Sequence, residues 1–270
     1  RRSGIPAGNK RPKPQDRRDD GRRHMTQRFS SDHALLSDAM REAGDIARRY
    51  FKSTLKSWEK KPGDPVSEAD LALDTHFKDK LQKSRVWIVD PIDGTRSFIA
   101  GKPEFTICAA LVEDGKPVLG VVYNPILEEY YEAVIGGGAK LNGEAITCSH
   151  KADLGGAKLI ASRKSFEWHG WLEEVKNATF SHVNSIAYRI VKVASRHADA
   201  SLSLTQKSDW DIAAADIILS EAGGITTTTR GDRLIYNRKS VNQRNVISSG
   251  NSIHPQLMRM LETFGTAKSK

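Results

Sequence analysis

Two carboxylates three positions apart, Asp90 and Asp93, stand in the run Val86-Trp87-Ile88-Val89-Asp90-Pro91-Ile92-Asp93-Gly94-Thr95, where a short apolar segment delivers both into a turn. Acids held this close repel. The turn becomes favourable when a hard cation lies between them, and Mg²⁺ suits a few carboxylate oxygens, a backbone carbonyl and water in octahedral array. A calcium loop of the EF-hand type wants acids at positions 1, 3 and 5 and Glu at 12, whereas here Asp90 and Asp93 are positions 1 and 4 and Gly101 is position 12. Gly94-Thr95 opens a turn of helix whose N–H groups can face an anion, so the implied chemistry is a metal beside a phosphate. The competing structural explanation is an Asx turn with Asp93 as a helix cap. Gly136-Gly137-Gly138-Ala139 fits neither dinucleotide nor P-loop spacing, and both chemistries are disfavoured.

A third acid, Asp211, falls at the start of the helical pattern Ser208-Asp209-Trp210-Asp211-Ile212-Ala213-Ala214-Ala215, and a fourth, Asp70, closes Ser67-Glu68-Ala69-Asp70. Both have an ordinary structural explanation as helix-capping residues.

Together these blocks resemble the inositol monophosphatase superfamily of magnesium-dependent, lithium-sensitive phosphatases. Pro65 to Asp70 is similar to the family's V-[TS]-x-x-D element, Trp87 to Phe98 to its W-I-V-D-P-[IL]-D-G-T-x-x-F signature, and Trp210 to Gly224 to its W-D-x-A-A…E-A-G-G block. The resemblance runs from about Ser31 to Phe264. It implies an α/β fold, a layered αβαβα sandwich, and two or three Mg²⁺ ions per active site. Asp90, Asp93 and the Ile92 carbonyl would ligate metal and Asp211 a second ion; Asp70 and Thr95 would orient the attacking water, and Asp93, Gly94, Thr95 and Asp211 would face the phosphate. One departure stands out. The family carries a glutamate-bearing segment before its signature strand, and here only Leu81-Gln82-Lys83-Ser84-Arg85 joins helix to strand, which predicts either an omitted segment, the favoured explanation, or a lost ligand.

The implied substrate is a small phosphorylated molecule. Arg96 to Ile107 is most similar to the 3′(2′),5′-bisphosphate nucleotidase branch, with Ser185-Ile186-Ala187-Tyr188-Arg189 and Lys207 in agreement, so the leading expectation is removal of the 3′-phosphate of adenosine 3′,5′-bisphosphate. Ser185 and one of the cations Arg163, Lys164, Arg189 or Lys207 would contact that substrate. Leu204 stands where inositol monophosphatases carry a glutamate, which suits a base or sugar edge more than a polyol. Inositol 1-phosphate is the alternative substrate, and a non-catalytic nucleotide- or RNA-binding relative the second alternative. A homodimer is implied by the resemblance alone.

These residues need elements to hold them. Apolar residues from Leu35 to Phe51 recur at three- and four-residue steps and predict an amphipathic helix from Ser31 behind a Ser or Asp cap. A second helix follows Ser67, strands are predicted over 86–89, 105–112, 117–123 and 129–134, and helices over 168–175, 185–196, 211–222 and 255–264. Residues 29–150 and 151–270 read as an N-terminal lobe with the Asp90 site and a C-terminal lobe with Asp211. The 270 residues, with 38% hydrophobic side chains, suffice for a large core. Cys108 and Cys148 are too sparse for a disulfide scaffold or structural zinc, and read as buried small hydrophobes. Of the net charge of +9, six arise in residues 1–25, a Pro- and Arg-rich stretch; 1–28 is expected to be a disordered basic extension or cloning remnant. A nucleic-acid partner is therefore disfavoured. Without an apolar run long enough for a membrane span or a secretory signal, a cytoplasmic location is the expectation.

Overall fold

The computed structural model describes residues 26–53, 56–59, 65–81 and 85–262. The expectation for residues 1–25, and that for Gln82 to Ser84, lie outside the described residues. The elements run in chain order as α1 (Ser30–Tyr50), β1 (Ser57–Glu59), β2 (Pro65–Ser67), α2 (Glu68–Lys80), β3 (Trp87–Asp93), α3 (Thr95–Ile99), β4 (Thr106–Glu113), β5 (Lys116–Asn124), β6 (Glu129–Val134), β7 (Ala139–Leu141) and β8 (Glu144–Ile146). The second half continues with β9 (Lys158–Ile160), α4 (Arg163–His169), β10 (Thr179–Ser181), α5 (Ile186–Ala194), β11 (Ala200–Ser203), β12 (Lys207–Ser208), α6 (Asp209–Glu221), β13 (Gly224–Thr227), β14 (Asn242–Gln243), β15 (Val246–Gly250) and α7 (His254–Leu261).

Strands β3 to β8 form one antiparallel sheet in sequence order. A second sheet has the order β10-β9-β11-β15-β13 and mixes parallel with antiparallel pairs. Strand β4 explains the layering. Its side chains alternate between faces, and Ile107, Ala109 and Leu111 enter a core with α1 and α2, while Cys108, Ala110 and Val112 enter a core with α5 and α6. A third core places Phe166 of α4 and Leu257 of α7 against Leu159, Leu202 and Ile247 of the second sheet. The layers are therefore helix, sheet, helix, sheet, helix, the expected αβαβα sandwich. Gly120 of β5 lets α6 approach closely, since a Cβ there would fall 2.5 Å from Ile217 Cγ2 and 2.6 Å from the Ala214 carbonyl oxygen.

Several local expectations need correction. Helix α1 begins at Ser30 with Phe29 as its cap and no side-chain cap bond; Asp32, read as a candidate cap, is a buried helical residue paired with Arg85 at 3.4 Å. Phe29 is fully buried and fixes the entry. Arg28, assigned to the extension, pairs with Glu113 at 3.0 Å. The helix expected over 168–175 is instead α4, which Gly170 ends in the left-handed conformation at φ +74°. Both cysteines are buried free thiols, as expected. Among the described residues, no helix is long and apolar enough to cross a membrane.

Candidate active site

Strand β3 carries the first two acids, and an irregularity in its pairing aims them. Asp90 lies opposite Cys108 and Asp93 opposite Thr106, so three steps on β3 match two on β4. In a regular strand, residues three apart face opposite sides. The extra residue makes a bulge at Pro91-Ile92, where proline has no N–H to give to a ladder, and returns both carboxylates to one side. Asp90 Oδ1 accepts the Ile92 N–H at 3.0 Å, closing the Asx turn, and Gly94 follows at φ +96°.

Asp70 and Asp211 arrive on two helices by the same device. Ser67 caps α2 and Ser208 caps α6, each in a capping box with the aspartate at N3. Asp70 Oδ2 accepts from the Ser67 N–H at 2.8 Å and hydroxyl at 2.7 Å; Asp211 Oδ2 accepts from the Ser208 N–H at 2.8 Å. Both also line one cleft with Asp90, Ile92, Asp93, Gly94 and Thr95. The capping explanation thus holds, and it does not keep either carboxylate out of the cleft. The cleft measures about 400 Å³, and Asp74 and Trp210 complete its wall. Asp74, one helical turn beyond Asp70, was not singled out in the sequence; the i, i+4 spacing on α2 was the available signal.

Burial first, and then repulsion from Asp93, Asp211 and Asp70, raises the Asp90 carboxyl well above the usual carboxylate range. Burial and the Asp211 charge raise Asp93 to about 7, against the pull of hydrogen bonds from Ser185, Ala187 and Ile186. Burial and the charges of Asp93 and Asp90 likewise hold the Cys108 thiol neutral. A group of hydrogen-bonded, hard oxygen donors in which Asp90 and Asp93 are raised by burial and by the neighbouring acids is what a divalent cation would relieve, so the donor set fits a metal such as Mg²⁺. Among the described residues, no three His, Cys, Asp or Glu side chains are arranged to hold an ion by themselves.

The other expected residues divide. Thr95 lines the cleft and its hydroxyl donates to the Ile92 carbonyl at 2.9 Å. Ser185, expected at the substrate, is fully buried; its hydroxyl donates to Asp93 Oδ2 at 2.6 Å and accepts the Tyr188 N–H at 2.9 Å, so it holds Asp93 instead. Arg163 lies exposed on α4, paired with Glu167 at 3.1 Å, and is not part of the cleft wall. Lys207 is half-buried, which lowers its pKa while the charges of Asp211 and Asp93 oppose the drop. Arg189 is similarly lowered by burial and feels Asp93. Leu204 packs against the third core rather than the cleft, which removes the reason to read it as facing a base.

The model of the inositol monophosphatase family matches residues 76–264. A fructose-1,6-bisphosphatase/inositol-1-monophosphatase of Thermotoga maritima is 33% identical over 228 residues, 75% of this chain and 85% of that protein. Inositol monophosphatase 2 of Solanum lycopersicum is 29% identical, over 72% of this chain and 86% of that one. Among solved structures, the suhB extragenic suppressor protein of Bartonella henselae superposes with a TM-score of 0.74 at 26% identity, covering 87% of this chain and 99% of that one.

Proposed function

The chain belongs to the inositol monophosphatase family of phosphoric monoester hydrolases, and from that premise we propose that it is a Mg²⁺-dependent phosphatase acting on a small polyol or sugar phosphate such as inositol 1-phosphate. The observation that carries this reading is the convergence of Asp70, Asp90, Asp93 and Asp211, from α2, β3 and α6, on one cleft. Asp90, Asp93, the Ile92 carbonyl and Asp211 would hold divalent cations, which would supply a more acidic water and neutralisation of the phosphate oxygens.

The chain's own residues prepare the rest. Thr95 gives its proton to the Ile92 carbonyl, which leaves its oxygen as an acceptor toward a water. The Ile92 carbonyl keeps a second lone pair for a ligand bond. Asp70, braced by Ser67, accepts the second proton of that water, so the nucleophile is oriented by two fixed groups. Gly94 caps α3 and Thr95 begins it, so the start of that helix faces the cleft and suits the phosphate, while the Ser97 N–H is already taken by the Gly94 carbonyl at 2.8 Å.

The names of the relatives favour a polyol or sugar ester. A second reading, adenosine 3′,5′-bisphosphate, is favoured by Lys207, which feels the charges of Arg189 and Arg96 as well as those of Asp211 and Asp93, a cluster that suits a second phosphate. Phosphate release from both compounds with Mg²⁺ present distinguishes them. A higher kcat/KM for inositol 1-phosphate is expected; the reverse order establishes the nucleotide, and no release from either overturns both.

A further inference from the structure

A second cleft, about 1340 Å³, lies between the turn at Thr228 to Asp232, the segment from Arg238 to Asn245, and the end of α7. Four exposed cations line it: Arg230, Arg238, Lys239 and Arg244. Among the described residues none of the four forms an ion pair. The two acids of the wall do not neutralise them: Asp232 turns to the Thr228 hydroxyl at 3.4 Å, and Glu262 stands at the end of α7. Like charges gathered without counter-charges create a local positive field that an anion would relieve.

The lining narrows the kind of anion. Three of the four cations are arginines, whose guanidinium fork matches phosphate oxygens in pairs. The cleft is larger than the roughly 300–1,000 Å³ of an ordinary small-molecule site. Apart from Met258 and Leu261 its wall is polar, which offers little anchorage to a peptide, and no aromatic ring in it could stack on or select a base. The wall is also braced. Asn242 and Gln243 pair with Ser208 and Lys207, and Gln243 Nε2 and the Asn237 N–H both donate to the buried Asp209 carboxylate at 2.8 Å. We propose that this cleft binds the phosphate backbone of single-stranded nucleic acid, without sequence preference.

The test is fluorescence anisotropy of a labelled 20-nucleotide uridine RNA titrated with the full-length protein at several KCl concentrations. Wild type is expected to bind and to weaken with salt. The double variant R238E/R244E is expected to lose at least tenfold in affinity and to flatten the log–log salt slope by about 1.4, the share of two phosphate contacts on a single strand. Circular dichroism and an unchanged thermal midpoint verify that the variant folds, and R230A/K239A provides a milder second case with a smaller loss in the same direction. Equal affinity in wild type and both variants, no binding by wild type at 50 mM KCl, or displacement of the RNA by pyrophosphate or a poly-glutamate peptide at matched charge would each overturn the proposal.

Discussion

Ser185 Oγ donates to Asp93 Oδ2 across 2.6 Å, and the Ala187 N–H reaches the same oxygen at 2.7 Å. The N-terminal turn of α5 thereby holds an acid of β3 that lies 92 residues earlier in the chain. The same hydroxyl accepts the Tyr188 N–H and so caps the helix. Ser185→Ala is expected to cost about 1 kcal/mol of stability through the cap, to lower kcat about tenfold, and to move the acidic limb of the pH–rate profile upward, because Asp93 loses a donor that favours its charged form. A stability loss with an unchanged profile would reduce Ser185 to a cap.

Asp93→Asn removes one of the buried charges that repel one another. Turnover is expected to fall on the order of 10³-fold, while the thermal midpoint in EDTA rises above that of wild type. The stabilisation that Mg²⁺ gives wild type should disappear. Retention of near wild-type rate contradicts the metal assignment.

The pH dependence has a definite sign. Asp93 sits at about 7 in the folded state and Asp90 is raised too, against an unfolded value of about 3.9. Between these limits the two acids bind more protons in the folded protein than in the unfolded chain, so their contribution to metal-free stability should be greatest near pH 4 and decline as pH rises to 7. Mg²⁺ needs the deprotonated acids, so its stabilising effect should grow over the same interval. Urea titrations in EDTA and in Mg²⁺ at pH 5, 6 and 7.5 measure both slopes. Equal slopes would show that the ion binds elsewhere.

Two glycines should not tolerate a methyl group. Gly94→Ala forces a side chain into φ +96°, with the new Cβ 3.1 Å from the Glu104 carbonyl oxygen and 3.2 Å from Ser185 Cβ; a loss of about 1–3 kcal/mol and reduced kcat are expected. Gly120→Ala meets backbone of α6 and should cost about as much, with the Mg²⁺ affinity of the folded fraction retained. Denaturant midpoints and calorimetric titration separate the two cases.

The longer helices, strands β3 to β6 and four of the five cleft aspartates were legible in the sequence, because period, capping residues and an unusual pair of acids are local signals. The aim of those acids was not. A spacing of three gives opposite faces in any regular strand, and only the pairing against Cys108 and Thr106 reveals the extra residue that reconciles them. Ser185 was singled out for substrate because a polar residue at a helix start shows nothing of its burial; contact with Asp93 depends on how the helix meets the sheet. Leu204 failed for the same reason, since one apolar side chain at a strand end gives no indication which of three cores takes it. The run from Leu81 to Arg85 contains no acid, where the resemblance leads to the expectation of a glutamate-bearing segment. Asp74 is the last cleft acid before that join in sequence.

Asp70 and Asp211 each brace the helix that carries them, whereas Asp90 and Asp93 are held against their own repulsion. The two pairs should therefore age differently in a descendant that has stopped turning over substrate. Drift would preserve the first pair for the sake of folding and release the second, so the presence of a β3 acid couple reports a working phosphatase, while the helical acids by themselves report only an intact scaffold.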